Sequence, residues 1–305
     1  MRYLIVTDDW NEKIGGAVCL HKLCHIINEL GGSAYIIKSI DQPDLLKRGF
    51  LKALSDFSRY KIRLACVKKL KTNPDFNTPI YMHNVKDLQN DGWVVIYPEV
   101  VYGNPLRAKN VVRWFLHNPT FHTGVFSYSS NDVAVRFNTA IKPINIFGLK
   151  PYDKFLKVVD YPLSLYNMSG IMNERTGSAY CIRKGLGKKI IHDLSDSILI
   201  DNLSHDDVAK VFKKTKVFYS YDTYTAYSLF AILCGCKSVV IPDKNVGIND
   251  WYPDERDRFG IYYGDDYFGQ DIPNTELAIK RVYDEVAASE ASVASFIEFS
   301  SEYFN

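Results

Sequence analysis

The 305-residue chain is 47% hydrophobic and 24% charged, the composition of a soluble globular protein with material for one large domain or two ordinary ones. Its formal charge of +2 makes no global case for nucleic acid, and no DNA- or RNA-binding module signature is present. No run approaches the ~20 apolar residues of a membrane span, and the chain opens directly on a strand pattern with no signal-peptide pattern, so a cytoplasmic protein is expected.

The first unit reads as a βαβ. Arg2–Thr7 is an apolar strand, Asp8–Gly16 a loop, Ala17–Leu30 a helix, and Ser33–Ser39 a second strand after the stop at Gly31-Gly32. Val18, Leu20, Leu23, Ile27 and Leu30 are spaced to face a sheet. Gly15 and Gly16 stand just before the helix, where they let backbone approach a ligand or simply make the turn. They do not form GxGxxG, so a dinucleotide fingerprint is absent. His21 and His25 are four apart on that helix, but no nearby acid completes a metal motif, and a non-ligand pair is expected.

A basic stretch follows, Lys47 to Lys71, with nine Lys or Arg against the single acid Asp56 and with interleaved Phe50, Phe57 and Leu64. It reads as a cationic amphipathic surface for anionic lipid, or as a plain solvated face. Two further strands end abruptly in polar residues. Trp93–Tyr97 runs into Pro98-Glu99 and then Tyr102-Gly103-Asn104-Pro105; Val111–Leu116 runs into His117-Asn118-Pro119. The region 125–147 is expected to complete the first sheet. Lys150–Leu165, with Pro151 and Pro162, reads as an interdomain linker.

The second half restarts with a strand in Gly177–Gly185, which ends in Arg183-Lys184-Gly185-Leu186-Gly187. Lys189–His192 reads as a short strand, and Ser204 as the N-cap of a helix over Asp206–Lys214. Lys216–Tyr221 is a strand, Thr225–Leu233 a helix stopped by Gly235, and Ser238–Ile241 a buried strand. Asp222, Thr225 and Ser228 collect where strand hands over to helix, the carboxyl edge at which open α/β sheets bind ligands. Asp222 also reads as a helix cap. Thr275–Phe304 is helical in pattern. The six cysteines (Cys19, Cys24, Cys66, Cys181, Cys234 and Cys236) form no CxxC pair and fit buried thiols.

The stretch YSYDTYTAYSLFAILCGCKSVVIP, residues 219–242, resembles the donor-sugar segment of GT-B type glycosyltransferases. YPEVVYGNPL…RWFLHNP resembles a subgroup of that family that builds bacterial surface polysaccharide. The resemblance implies an α/β fold of two Rossmann-like domains facing across a cleft: residues 1–155 on the acceptor side, 156–285 binding the nucleotide sugar, and a last helix, 286–305, crossing back. It implies sugar transfer from a nucleotide-sugar donor to a lipopolysaccharide, O-antigen or capsule glycan, lipid-linked or not, without a metal or other cofactor. Docking of 47–71 on the inner face of the cytoplasmic membrane fits such an acceptor. Glu99 is the candidate general base, because a carboxylate at a cleft edge can accept a proton from a sugar hydroxyl, and His117 is the candidate to share acid/base work or bind the donor sugar. Gly15, Gly16, Arg183, Lys184, Tyr221, Asp222, Thr225 and Ser228 are the donor-binding candidates, and Asp265-Asp266 is not counted as a metal site. A structural ion pair for Glu99, a bland hydrogen-bonding role for His117 and a solvated turn for Arg183-Lys184 are the alternatives. The family's form places Glu eight residues after the first acid, and here Phe230 stands there. That departure keeps open an inactive glycan-binding or partner subunit; a second rival is a nucleotide-sugar epimerase of the same fold, which would need paired acids and a His around one sugar.

Overall fold

The computed structural model describes residues 1–39, 70–122, 124, 127–129, 131–143, 149–264 and 274–305. Most of the basic stretch 47–71, Cys66 and the Asp265-Asp266 pair lie outside them. The chain forms two α/β units, Met1–Asp160 with Ala288–Asn305, and Tyr161–Ala287. Among the described residues no helix is long and apolar enough to cross a membrane.

The first unit is built on β1 (Arg2–Thr7), α1 (Gly15–Glu29), β2 (Ser33–Lys38), β3 (Trp93–Pro98), β4 (Asn110–Phe115), β5 (Val133–Arg136) and β6 (Lys150–Phe155). Its strands lie in the order β2-β1-β3-β4-β5-β6, and every neighbouring pair is parallel. Both β3 and β4 are buried along their whole length, which is why they are written as continuous apolar runs rather than as alternation. Helix α1 lays Leu20, Leu23 and Ile27 on this sheet beside Tyr3, Ile5 and Val94. It begins at Gly15, so the two glycines form its first turn rather than a preceding loop. The expected linker at 150–165 is not one at its start. Residues 150–155 are β6, an edge strand in which Tyr152 is the buried side chain, and such polar edge strands carry little apolar signal.

The second unit contains β7 (Ser178–Cys181), β8 (Ser197–Leu199), α2 (His205–Lys214), β9 (Val217–Ser220), α3 (Tyr227–Leu233), β10 (Lys237–Val240), α4 (Ile248–Trp251) and β11 (Ile261–Tyr263). Its sheet is also parallel, in the order β11-β10-β9-β7-β8. Ser204 caps α2 by accepting the Asp207 N–H at 3.2 Å. The strand expected at Lys189–His192 is absent, and β7 pairs with β8 and β9. The last helix, α5 (Thr275–Phe304), places Ala278 and Val282 in the core of this unit and Val293 and Phe296 in that of the first.

Five cysteines are described, none in a disulfide, and Cys24, Cys181, Cys234 and Cys236 are buried. His21 and His25 have separate duties: His21 Nε2 lies 3.0 Å from the Asp8 carbonyl, while His25 stacks on Phe76.

Candidate active site

In each sheet the strand order reverses at one place, the position outside the carboxyl ends of the strands where open α/β sheets hold ligands. In the second unit this switch point lies between β7 and β9, whose last paired residues are Cys181 and Ser220. Arg183 leaves one strand and Asp222 the other. They meet, with Arg183 Nε 3.9 Å from Asp222 Oδ2. The guanidinium also lies over the Tyr227 ring, 5.0 Å from its centroid, a cation–π contact that orients the plane of the cation. Arg183 adopts φ +43°, the left-handed region that costs a non-glycine residue ~1–2 kcal/mol. Asp201 offsets this by accepting the N–H groups of Ile182 and Arg183, at 3.1 and 3.0 Å. Asp201 was not legible as a site residue in the sequence.

Asp222 is almost fully buried, and its Oδ1 accepts the Tyr224 N–H at 3.3 Å. It therefore shapes the loop and does not cap α3, whose N-cap residue is Ala226. Thr225 Oγ1 accepts the Tyr227 N–H at 3.3 Å. Ser228 is buried in the first turn of α3, and its hydroxyl has no hydrogen-bond partner among the described residues. Tyr221 is not placed to touch a ligand with its hydroxyl. It is fully buried, and that group is held by the Ile191 N–H at 2.9 Å and by His192 Nδ1 at 2.8 Å. Lys184, beside Arg183 in the chain, is exposed. Lys188, which no motif singles out, reaches across to Thr223 and Ile241 in the segments that follow β9 and β10.

Phe230 belongs to the core, stacked on Tyr166 with ring centroids 4.3 Å apart and planes at 12°. At the end of β7, burial pushes the Cys181 thiol up to about 12, so it is inert at neutral pH. Gly185 presses on the Tyr221 carbonyl, and a Cβ there would collide with that backbone oxygen. Gly185→Ala is accordingly expected to destabilise the second unit by ~1–3 kcal/mol, the usual cost of overpacking, read as a lower unfolding midpoint.

In the first unit the switch point lies between β1 and β3. Glu99 follows β3 directly, is 6% exposed, and accepts the Leu116 N–H through Oε2 at 3.1 Å. His117 follows Leu116 and packs on Phe121, with centroids 4.0 Å apart. A Cβ on Gly16 would lie 3.7 Å from the Leu116 side chain, so the start of α1, the end of β4 and Glu99 share one edge. Under this edge the structure holds an ion pair that the sequence reading missed. Arg113, fully buried in the middle of β4, donates from Nε to Asp132 at 2.7 Å. It also donates to the carbonyls of Val101, at 3.1 Å, and of Gly103. The YPEVVYGNPL loop is thus pinned from below, and Asn104 closes it by exchanging hydrogen bonds with Ala108 at 2.7 and 2.9 Å.

No family model matches the chain, and no curated protein matches it in sequence. Among solved structures it is similar to the spinosyn rhamnosyltransferase SpnG, at 12% identity over 98% of this chain and 100% of that one, with a TM-score of 0.46. It is also similar to the glycosyltransferase SnogD from Streptomyces nogalater, at 11% identity over 98% and 99% of the two chains and a TM-score of 0.42. A third is the glycosyltransferase VinC in complex with DTDP, at 11% identity over 99% and 95% and a TM-score of 0.41. Scores below 0.5 at such identity lend this chain no function of their own.

Proposed function

We propose that the protein is a GT-B type glycosyltransferase that moves a sugar from a nucleotide-sugar donor to a surface glycan of the lipopolysaccharide, O-antigen or capsule class, without a catalytic metal. The observation that carries this reading is the placement of Arg183 between Asp222 and Tyr227 at the switch point of the second sheet. A leaving diphosphate needs a fixed positive group, and a preorganised guanidinium offers it bidentate donors with little reorganisation. Thr225 and the orphan hydroxyl of Ser228 are candidate ligands of donor hydroxyls or phosphate oxygens. Gly15 and Gly16 admit close approach at the edge of the first sheet, where Glu99 serves as general base and His117 assists. The protein acts at the cytoplasmic side of the membrane, with residues 47–71 touching anionic lipid.

The first test is binding. Arg183→Ala is expected to weaken nucleoside diphosphate affinity by ~1.5–3 kcal/mol, about 10- to 150-fold, in a calorimetric titration. Unchanged affinity in a folded variant would overturn the assignment. The burial of Phe230 supports one rival, because no acid is offered eight residues after Asp222, where the family's form has Glu. An inactive glycan-binding subunit would bind nucleotide yet transfer no sugar to any acceptor.

A further inference from the structure

Between β7 and β8 the chain makes an excursion from Ile182 to Asp196 that contains no strand and one short 3-10 turn, Arg183–Gly185. Three anchors hold this excursion to the sheet. Asp201 binds its beginning through the N–H groups of Ile182 and Arg183. In the middle, Lys188 Nζ donates to Thr223 Oγ1 and the Ile241 carbonyl, each at 2.7 Å, and pairs with Asp243 at 2.7 Å. The three donors of its ammonium are thereby matched by three acceptors.

The third anchor is His192. Its ring stacks on Tyr219 with centroids 4.4 Å apart and planes at 14°, while Nδ1 lies 2.8 Å from Tyr221 Oη and Nε2 3.0 Å from Ser197 Oγ. We infer that His192 is a positioning residue whose neutral imidazole latches the Arg183–Lys188 segment onto the carboxyl edge of the second sheet. The functional consequence rests on the reading of Arg183 as a phosphate ligand, but the latch itself does not.

The proton positions follow from the partners. Tyr221 Oη accepts the Ile191 N–H, and the His192 backbone N–H also lies against it. Its own proton therefore needs an acceptor, and in this fully buried place the acceptor is His192 Nδ1. The ring is then the Nε2–H tautomer, donating to Ser197 Oγ, which also accepts the Ser178 hydroxyl at 2.8 Å. A second ring proton would sit on Nδ1 and confront the Tyr221 hydroxyl, donor against donor. The groups that face the ring are Tyr180 of β7, Ser197 of β8, Tyr219 of β9, Tyr221 beyond it, and Asp193 beside it.

Burial holds His192 below its ordinary value of 6.5, against the opposing pull of Asp193. A group depressed in the folded state contributes fully above its unfolded pKa, and the contribution is lost as pH falls through the folded value. Acidification thus opens the latch.

Amide hydrogen exchange of residues 183–191, in the ligand-free full chain and corrected for intrinsic exchange chemistry, tests this. Wild-type protection is expected to fall at least tenfold between about pH 7.5 and pH 5. His192→Asn, which keeps an acceptor for Tyr221 and has no titrating proton, should stay protected at both; His192→Ala should be unprotected at both. Wild-type protection that ignores pH, or a His192→Ala variant as protected as wild type, overturns the latch. If exchange behaves as stated but nucleoside diphosphate binds at neither pH, the latch stands and the phosphate reading of Arg183 fails.

Discussion

Glu99→Gln is expected to lower turnover by about 10²-fold or more while leaving nucleotide affinity within about twofold of wild type. The variant isolates proton acceptance. Glutamine has nearly the shape of glutamate, and its carbonyl oxygen can still take the Leu116 N–H that the carboxylate accepts at 3.1 Å. What it cannot do is receive a proton from an acceptor hydroxyl at neutral pH. The measurement pairs steady-state transfer with calorimetric binding of the nucleotide. A loss confined to turnover identifies the base; surviving turnover leaves Glu99 as a hydrogen-bond acceptor that ties the end of β3 to the end of β4. The parallel variant His117→Ala is expected to lose less, since that ring sits against Phe121 at the rim rather than beneath the edge.

The second large effect concerns stability. Arg113→Met should destabilise the first unit by ~3–5 kcal/mol, because it strands a buried carboxylate whose cation has been removed. Among the described residues Asp132 would keep only the Ser129 N–H at 3.1 Å, and the carbonyls of Val101 and Gly103 would lose the Arg113 donor. The double variant Arg113→Met with Asp132→Leu should recover much of that loss, since an apolar pair avoids the desolvation penalty of an uncompensated charge. Urea unfolding in a Trp251→Phe background reads this cleanly. Trp10, Trp93 and Trp114 all belong to the first unit, and Trp251 is the fourth and last tryptophan of the chain. If the single variant unfolds at the wild-type midpoint, the pair contributes nothing measurable. A loss of transfer in the double variant with stability restored would show that Arg113 also holds the loop behind Glu99 in its working shape.

Much of the architecture was legible in the amino-acid sequence for one reason. Parallel strands buried on both faces have to be continuous apolar runs, so β1, β3, β4, β9 and β10 announce themselves, and a polar residue that ends such a run must lie at a strand's edge. Glu99, His117 and Asp222 stand out as candidates for that reason, and Arg183 for the same reason at the end of the shorter β7. Their local settings do not. Between two short runs, Lys189–His192 and Ser197–Leu199, only the tertiary structure chose the second to pair with β7, because the Tyr221 hydroxyl captures Ile191 and His192 and keeps them out of the sheet. β6 was hidden because an edge strand with one inward side chain has almost no periodicity to read. Phe230 carries the same letter whether it lines a site or a core, and its stack on Tyr166 decided for the core. The supporting polar groups escaped for a further reason: their partners lie far off in sequence, Asp132 19 residues from Arg113 and Thr223 35 from Lys188. One signal was there to be used, an arginine inside the apolar run VVRWF. A strand buried throughout cannot leave a guanidinium without a carboxylate, but which carboxylate answers it is settled only when β4 and the turn before β5 are brought together in the folded sheet.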